Sequence, residues 1–138
     1  MNAIRRQHME QYLYKRHIKG IQHIGIPTDK YSETLDFYKS LGFEDINQEE
    51  VQGKKTAFLR IHNVMLEVYE CENPEKRTGS IEHLALSVEK VDRLYQEMLS
   101  EYKVLSPEVE SLPYWKNGIR FFKVEGPNRE VIEFCEIL

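Results

Sequence analysis

The sequence is poor in the features that mark several large protein classes. Its 138 residues include two cysteines, five prolines and seven glycines. Cys71 and Cys135 are far apart and form no CxxC pair, so we expect free thiols in a reducing, cytoplasmic setting. No apolar run approaches the ~20 residues of a membrane span, and no stretch has the layout of a signal peptide.

An excess of charge of one sign is also lacking. The formal net charge is −4, from 19 basic and 23 acidic side chains. Nucleic-acid and membrane-surface proteins usually carry a basic patch, so this balance supports neither as a partner. Hydrophobic residues make up 41% of the chain and charged residues 30%. This composition is typical of a globular domain that can bury its own core.

An internal repeat is the main positive signal. The stretch IQHIGIP reads as a short apolar strand that carries His23, and IEHLALS repeats it later with His83 in the same position. A second apolar stretch also occurs twice, as MLEV with Glu67 and as VIEF with Glu133. The chain therefore carries two histidines and two glutamates in duplicate.

The order of predicted elements is the same in both halves. A helical pattern follows each histidine strand and further strands follow each helix, so each half reads β-α-β-β-β. Residues 73–79 contain proline, glycine and charge, and they separate module 1, residues 20–72, from module 2, residues 80–138. We predict a single α+β domain at residues 20–138. Its two βαβββ modules form a curved mixed sheet around a shared, metal-binding cleft.

Turn signals bound two of the predicted strands. His62 and Asn63 turn the chain into a strand at Val64–Glu70. Ser106–Gly118 contains two prolines and is expected to be a loop. A strand at Ile119–Glu125 follows this loop.

The helices have their own signals. Residues 1–19 form a basic N-terminal extension, in which Met9, Tyr12 and Leu13 have the spacing of a short helix. Ser32 is expected to cap the first helix of module 1.

Strand alternation places His23, Glu67, His83 and Glu133 on one face of the sheet and apolar residues on the other. A single histidine in an apolar strand is usually a core residue, and a single glutamate is usually solvated or ion-paired. The recurrence in both halves favours a shared role, because a buried carboxylate is costly unless it is paired or bound to metal. Two imidazoles and two carboxylates suit a divalent ion such as Ni, Co, Mn, Fe or Zn.

Further side chains are expected to line the same cleft. Met65, Tyr69 and Cys135 lie on strand positions of the same face as the glutamates. Tyr114 and Trp115 lie in the proline-bounded loop, where they would form a lid or a wall of the pocket. The alternatives are a small buried side chain for Cys135 and simple loop anchoring for the aromatic pair.

In this order, the motifs resemble the vicinal oxygen chelate superfamily, which includes glyoxalase I. The likeness covers residues 19–138 and includes the helix end FYKSLGF. The resemblance implies paired βαβββ modules and a homodimer. It also implies that His23, Glu67, His83 and Glu133 are the ligands of a divalent metal ion.

The resemblance further implies an enzyme. In this superfamily the metal chelates neighbouring oxygens of a small substrate, and in glyoxalase-type members a ligand glutamate moves a proton, through an enediolate. Here that base would be Glu133 in preference to Glu67. The expected activity is a lyase or isomerase reaction on a small α-hydroxycarbonyl or 2-oxoaldehyde-derived substrate. Pro27 and Cys71 replace an arginine and an asparagine of bacterial glyoxalase I, so strict glutathione dependence is not expected.

Two other functions of the superfamily stay open. An acyl-CoA epimerase of the methylmalonyl-CoA type would need a basic rim for the phosphates, and such enzymes commonly have glutamine where Glu67 stands. A non-catalytic antibiotic-binding protein of the bleomycin-resistance type would keep the fold but lose the metal ligands. The intact set of two histidines and two glutamates argues against the binding protein.

Overall fold

The computed structural model describes residues 2–138, apart from the side chains of residues 7–13. It confirms the α+β class. Three helices and nine strands occur in the described chain. In chain order they are α1 Ala3–His17, β1 Ile24–Thr28, α2 Tyr31–Ser40, β2 Glu44–Val51, β3 Lys54–Ile61, β4 Val64–Glu70, β5 His83–Ser87, α3 Val91–Met98, β6 Lys103–Val104, β7 Glu110–Leu112, β8 Ile119–Glu125 and β9 Val131–Ile137.

The strands form two sheets of matching topology. The first sheet has the order β1-β4-β3-β2, and the second has the order β5-β9-β8-β6, with β7 also paired to β8. In each sheet the histidine strand runs parallel to the glutamate strand, β1 to β4 and β5 to β9. The remaining pairs are antiparallel. Each histidine strand is thus an edge strand that lies beside its glutamate strand.

The apolar faces of both sheets pack on the helices. Leu66 and Val68 of β4 are fully buried, and Ile132 and Phe134 of β9 are nearly so. Tyr38 of α2 is only 1% exposed and belongs to the same core cluster, which includes residues of both modules. Burial of one face per strand follows from the period-two alternation. It leaves the opposite face of each sheet to the polar side chains.

A buried polar network joins the two modules. The Thr28 hydroxyl at the end of β1 donates to Asn128 Oδ1 at 2.6 Å, and Asn128 Nδ2 donates to Thr34 Oγ1 at 2.9 Å. Thr28 and Thr34 are fully buried and Asn128 is 6% exposed. The hydroxyls of Ser40 and Tyr102 form a second contact between modules at 2.8 Å. No sequence pattern predicted these contacts, because the partners are far apart in the chain.

Two local predictions are wrong. The N-cap of α2 is Lys30, which makes no side-chain capping bond, and Ser32 already lies within the first helical turn. Thr34 instead donates to the Lys30 carbonyl at 2.7 Å. The predicted loop at Ser106–Gly118 contains β7, Glu110–Leu112, whose three residues are all exposed. An exposed strand of this length has no alternation by which to recognise it.

The N-terminal extension contains α1. Asn2 caps this helix, since its Oδ1 accepts from the Arg5 backbone N–H at 2.9 Å. The last turn is basic, which suits the negative end of the helix dipole. The apolar positions predicted for this helix, Met9, Tyr12 and Leu13, lie outside the described side chains. No helix in the described chain combines the length and the apolar character that crossing a membrane requires.

Candidate functional site

The first histidine–glutamate pair lies at the edge of the module 1 sheet. His23 is the residue immediately before β1, and the register places Gly25 opposite Glu67 of β4. His23 stands two positions from Gly25, so its side chain projects from the same face as Glu67. The distance from His23 Nε2 to Glu67 Oε2 is 2.8 Å. Phe58 of β3 faces Glu67 directly, and its ring meets the imidazole edge-on with centroids 6.2 Å apart.

The second pair repeats this geometry in module 2. His83 is the first residue of β5, and Ala85 lies opposite Glu133 of β9. The histidine again stands two positions before the residue that faces the glutamate. His83 Nε2 lies 2.9 Å from Glu133 Oε2. Lys123 of β8 faces Glu133 directly, in the position that Phe58 holds in module 1.

The pairs differ in their exposure to solvent. The side chains of His23 and His83 are 38% and 36% exposed. Glu67 is 28% exposed, whereas Glu133 is only 10% exposed. A carboxylate that is removed from water needs a partner that offsets the lost hydration. His83 is the partner that Glu133 has in this structure.

The second nitrogen of each imidazole faces the residue that precedes it. His23 Nδ1 is within hydrogen-bonding distance of Gln22 Oε1, and His83 Nδ1 lies 3.8 Å from Glu82 Oε1. An oxygen acceptor at Nδ1 orients the imidazole ring and would favour a proton on Nδ1 once Nε2 bound a metal ion. Histidines that ligate metal ions usually have such a partner on the other ring nitrogen. Both pairs therefore have the donor atoms that a metal ion requires. Only the first pair also has the supporting hydrogen bond at Nδ1, because the 3.8 Å separation between His83 and Glu82 is too long for one.

The two histidines line one cavity. Its volume is about 780 Å³, and residues of both edge strands, β1 and β5, contribute to its lining. Glu67 and Glu133 lie on the adjacent strands. In the part of the chain that the structure describes, no group of three or more His, Cys, Asp or Glu side chains is close enough together to hold a metal ion. The structure thus forms two pairs, and a single site made of all four residues stays a prediction.

The other strand residues predicted for the cleft share the face of the glutamates. Met65 and Tyr69 flank Glu67 on β4 and are half-buried. Cys135 follows Glu133 by two positions on β9 and is also half-buried. Burial, and then the charge of Glu133, raises the pKa of the Cys135 thiol above its usual value. Cys135 is a free thiol, as expected.

The aromatic pair of the long loop lies elsewhere. The Tyr114 side chain is 57% exposed and that of Trp115 is 73% exposed. Trp115 lines a separate depression of about 520 Å³ together with Leu112 and Arg120. None of the four paired histidines and glutamates lines this depression. A role for Tyr114 and Trp115 as a wall or lid of the site stays a prediction.

Four neighbours of the pairs were not identified from the sequence: Phe58, Gln22, Glu82 and Lys123. Gln22 and Glu82 escape notice because each looks like an ordinary polar residue at a strand entrance. Lys123 left a clearer signal: it stands between Phe122 and Val124, both fully buried, and must project from the opposite face. A charged residue in an apolar strand is the same pattern that identified the glutamates.

Comparisons with known proteins agree with this architecture. The chain is 26% identical over 140 residues to the uncharacterised protein YwbC of Bacillus subtilis, over 86% of this chain and 98% of that protein. A glyoxalase family protein from Enterococcus faecalis has a similar structure, with a TM-score of 0.73, 19% identity and coverage of 87% of this chain and 99% of that one. The fosfomycin resistance protein FosX from Listeria monocytogenes, solved with Mn(II) and sulfate, gives a TM-score of 0.63, with 19% identity and coverage of 88% and 94%.

The sequence itself matches a family profile over most of its length. Residues 20–134 match the Glyoxalase/Bleomycin resistance protein/Dioxygenase superfamily. This range covers module 1 and most of module 2, ending within β9, and it contains all four residues of the histidine–glutamate pairs. It does not include α1. The match confirms the resemblance to the vicinal oxygen chelate proteins. This chain belongs to the Glyoxalase/Bleomycin resistance protein/Dioxygenase superfamily.

Proposed function

We propose that this protein is a divalent-metal-dependent lyase or isomerase that acts on a small substrate with neighbouring oxygen atoms. The observation that carries the proposal is the duplicated pair. In both modules a histidine Nε2 and a glutamate Oε2 approach to 2.8–2.9 Å at the same strand register. Metal binding is also supported by the similar FosX structure, which was solved with Mn(II).

The metal ligands in this proposal are His23, Glu67, His83 and Glu133. Two imidazole nitrogens and two carboxylates form a donor set that suits Ni, Co, Mn, Fe or Zn. When bound, such an ion supplies Lewis acidity that polarises substrate oxygens. Gln22 orients the ring of the first histidine through Nδ1. The common cavity of the two histidines favours a site built within one chain, and the homodimer that the sequence implied stays a prediction.

Glu133 is the better candidate for the general base. Its side chain is 10% exposed, against 28% for Glu67, so fewer water molecules compete with a substrate C–H group for its oxygens. A base must be able to approach the proton that it removes. Glu133 would take the proton from the carbon next to the substrate carbonyl and return it to a neighbouring carbon or to the same one.

The structure offers less support for an acyl-CoA substrate. Lys76 and Arg77 line the cavity, but each is already ion-paired: Lys76 Nζ lies 2.5 Å from Asp29 Oδ2, and Arg77 Nε lies 3.0 Å from Glu75 Oε2. A carboxylate partner reduces the attraction of a cation for phosphate. We therefore place the substrate among small oxygenated metabolites rather than coenzyme A esters.

Proton exchange tests the proposal. Protein loaded in turn with Ni, Co, Mn or Zn would be incubated in D₂O with 2-oxoaldehyde thiol adducts, hydroxyketones and methylmalonyl-CoA. NMR would follow loss of the proton next to the carbonyl. We expect metal-dependent exchange with at least one small hydroxycarbonyl compound. Removal of the base should slow this exchange roughly 100-fold or more, since general base catalysis contributes about 10²–10⁴-fold.

The matched variants are Glu133→Gln and Glu67→Gln. Each replaces one carboxylate by an amide of the same shape, in equivalent places of the two sheets. We expect Glu133→Gln to lose exchange and Glu67→Gln to keep a measurable part of it. Equal rates of proton exchange in Glu133→Gln and the wild type would show that Glu133 is not the base. No metal-dependent exchange with any compound would refute the lyase or isomerase proposal.

A further inference from the structure

The two modules differ at the position that faces each glutamate. Phe58 faces Glu67 and Lys123 faces Glu133. Directly opposed residues of neighbouring strands project from the same face with their Cβ atoms about 4.5–5.5 Å apart. One side of the candidate site therefore presents an aromatic ring and the other presents a primary amine. The Phe58 ring lies against the imidazole of the first pair, whereas Lys123 lies opposite the glutamate of the second pair.

The lysine side chain extends toward the histidine strand. Lys123 Nζ lies 3.6 Å from Glu82 Oε1, and Glu82 lines the cavity beside His83. Strand β9 separates β8 from β5. The side chain of Lys123 must therefore extend over β9 to reach Glu82, and β9 is the strand that carries Glu133. This places its ammonium group next to the second histidine–glutamate pair, where its side chain is 29% exposed.

The contact with Glu82 is loose enough to be exchanged. The Glu82 side chain is 57% exposed, and a separation of 3.6 Å is longer than a charge-assisted hydrogen bond. By contrast, Lys103 of the neighbouring strand β6 contacts Glu125 of β8 closely, and its side chain is 69% exposed. Lys123 is thus a cation that an incoming anionic group can reach beside the second histidine–glutamate pair.

We propose that Lys123 binds an anionic group of the substrate, a carboxylate or a phosphate, attached close to the chelating oxygens. This inference rests on the proposed metal-dependent function, because it places the anion beside the same centre. It defines the substrate class as a small hydroxycarbonyl compound with one negatively charged end. Phe58 offers no such contact, so the asymmetry also sets which end of the substrate lies toward Glu133.

A matched pair of chelators tests the inference. Acetohydroxamate presents two neighbouring oxygens and no further charge, and phosphonoacetohydroxamate adds one phosphonate to the same group. Isothermal titration calorimetry would give the dissociation constants of both with the Mn(II)-loaded protein. We expect the phosphonate compound to bind about tenfold or more tightly, as is usual for one hydrogen bond to a charged group.

Substitutions of Lys123 separate its contribution to binding from that of the metal ion. Lys123→Met should abolish the preference for phosphonoacetohydroxamate and leave the affinity for acetohydroxamate within about twofold. Lys123→Arg should keep most of the preference because the charge remains. Lys103→Met is the control, and both affinities should stay as in the wild type, since its ammonium is already held by Glu125.

Glu82→Gln provides a gain-of-affinity test. This change reproduces Gln22 of module 1 and removes the charge that competes for Lys123, while Glu82 makes no hydrogen bond to His83 that would be lost. The phosphonate compound should bind several-fold more tightly, with no change for acetohydroxamate. Equal binding of both chelators to wild type, or a preference that survives Lys123→Met, would overturn the inference while leaving the metal function intact. Failure of both chelators to bind would overturn the metal function and the inference together.

Discussion

Asn128 should contribute strongly to stability, because it connects the two modules through buried hydrogen bonds. Its Oδ1 accepts from Thr28 at 2.6 Å, and its Nδ2 donates to Thr34 at 2.9 Å and to Glu130 Oε2 at 3.2 Å. Asn128→Ala removes all three bonds. A buried hydrogen bond contributes about 1 kcal/mol net, so we expect a loss of about 2–3 kcal/mol in the free energy of unfolding.

The loss is limited because the threonine hydroxyls keep other partners. Thr28 and Thr34 Oγ1 lie 3.1 Å apart, and Thr28 Oγ1 also accepts from the Lys30 backbone N–H at 2.8 Å. Neither hydroxyl becomes an unsatisfied buried group. For a domain of this size the expected loss corresponds to a fall in Tm of about 10 °C.

Urea unfolding measured by circular dichroism would test this expectation. The matched control is Asn63→Ala, since Asn63 lies in the equivalent β3–β4 turn but is exposed. It should change the free energy of unfolding by less than about 0.5 kcal/mol. A double-mutant cycle of Asn128→Ala with Thr28→Val should give a coupling of about 1 kcal/mol. Additive effects, or equal losses for the two asparagine variants, would contradict the reasoning.

Two further predictions concern titration. Burial and the charge of Glu133 raise the pKa of Cys135. Alkylation of Cys135 by iodoacetamide, measured by mass spectrometry, should therefore be slow at pH 8 and faster in Glu133→Gln. Equal alkylation rates in the two proteins would contradict an effect of Glu133 on this thiol. Burial and the Glu130 carboxylate raise the pKa of Tyr38 well above 10. The phenol ionises near pH 10 only in the unfolded chain, so the free energy of unfolding should fall above pH 10. In urea titrations, the free energy of unfolding of Tyr38→Phe should fall less steeply above pH 10 than that of the wild type. The same dependence on pH in both proteins would refute the role of Tyr38.

Much of the fold could be predicted because its signals are local. Val64–Glu70 and Ile119–Glu125 have the predicted bounds, since alternation and flanking turns mark both ends of each strand. Strand β7 was missed because its exposed residues have no apolar face. Ser32 was predicted as the cap of α2, but the observed cap, Lys30, lies two residues earlier.

The candidate site was only partly accessible in the same way. Strand alternation predicted that the histidines and glutamates share one face, and the structure places each histidine beside the glutamate of its own module. Their convergence into one site stays a prediction. The junction formed by Thr28 and Asn128 depends on the packing of two modules, which no periodicity encodes. For the same reason, strand alternation could not show whether the two pairs approach each other closely enough to bind one ion.

The metal content of the protein tests the central claim most directly. The protein would be stripped with chelator, reloaded with Mn, Co, Ni or Zn, desalted and analysed by plasma mass spectrometry beside His23→Ala and His83→Ala. One site built from both pairs predicts about one ion per chain in the wild type and loss of nearly all of it in either variant. Retention of half the metal in each variant would show two independent sites, one per module. No stoichiometric metal in the wild type would contradict the proposed function.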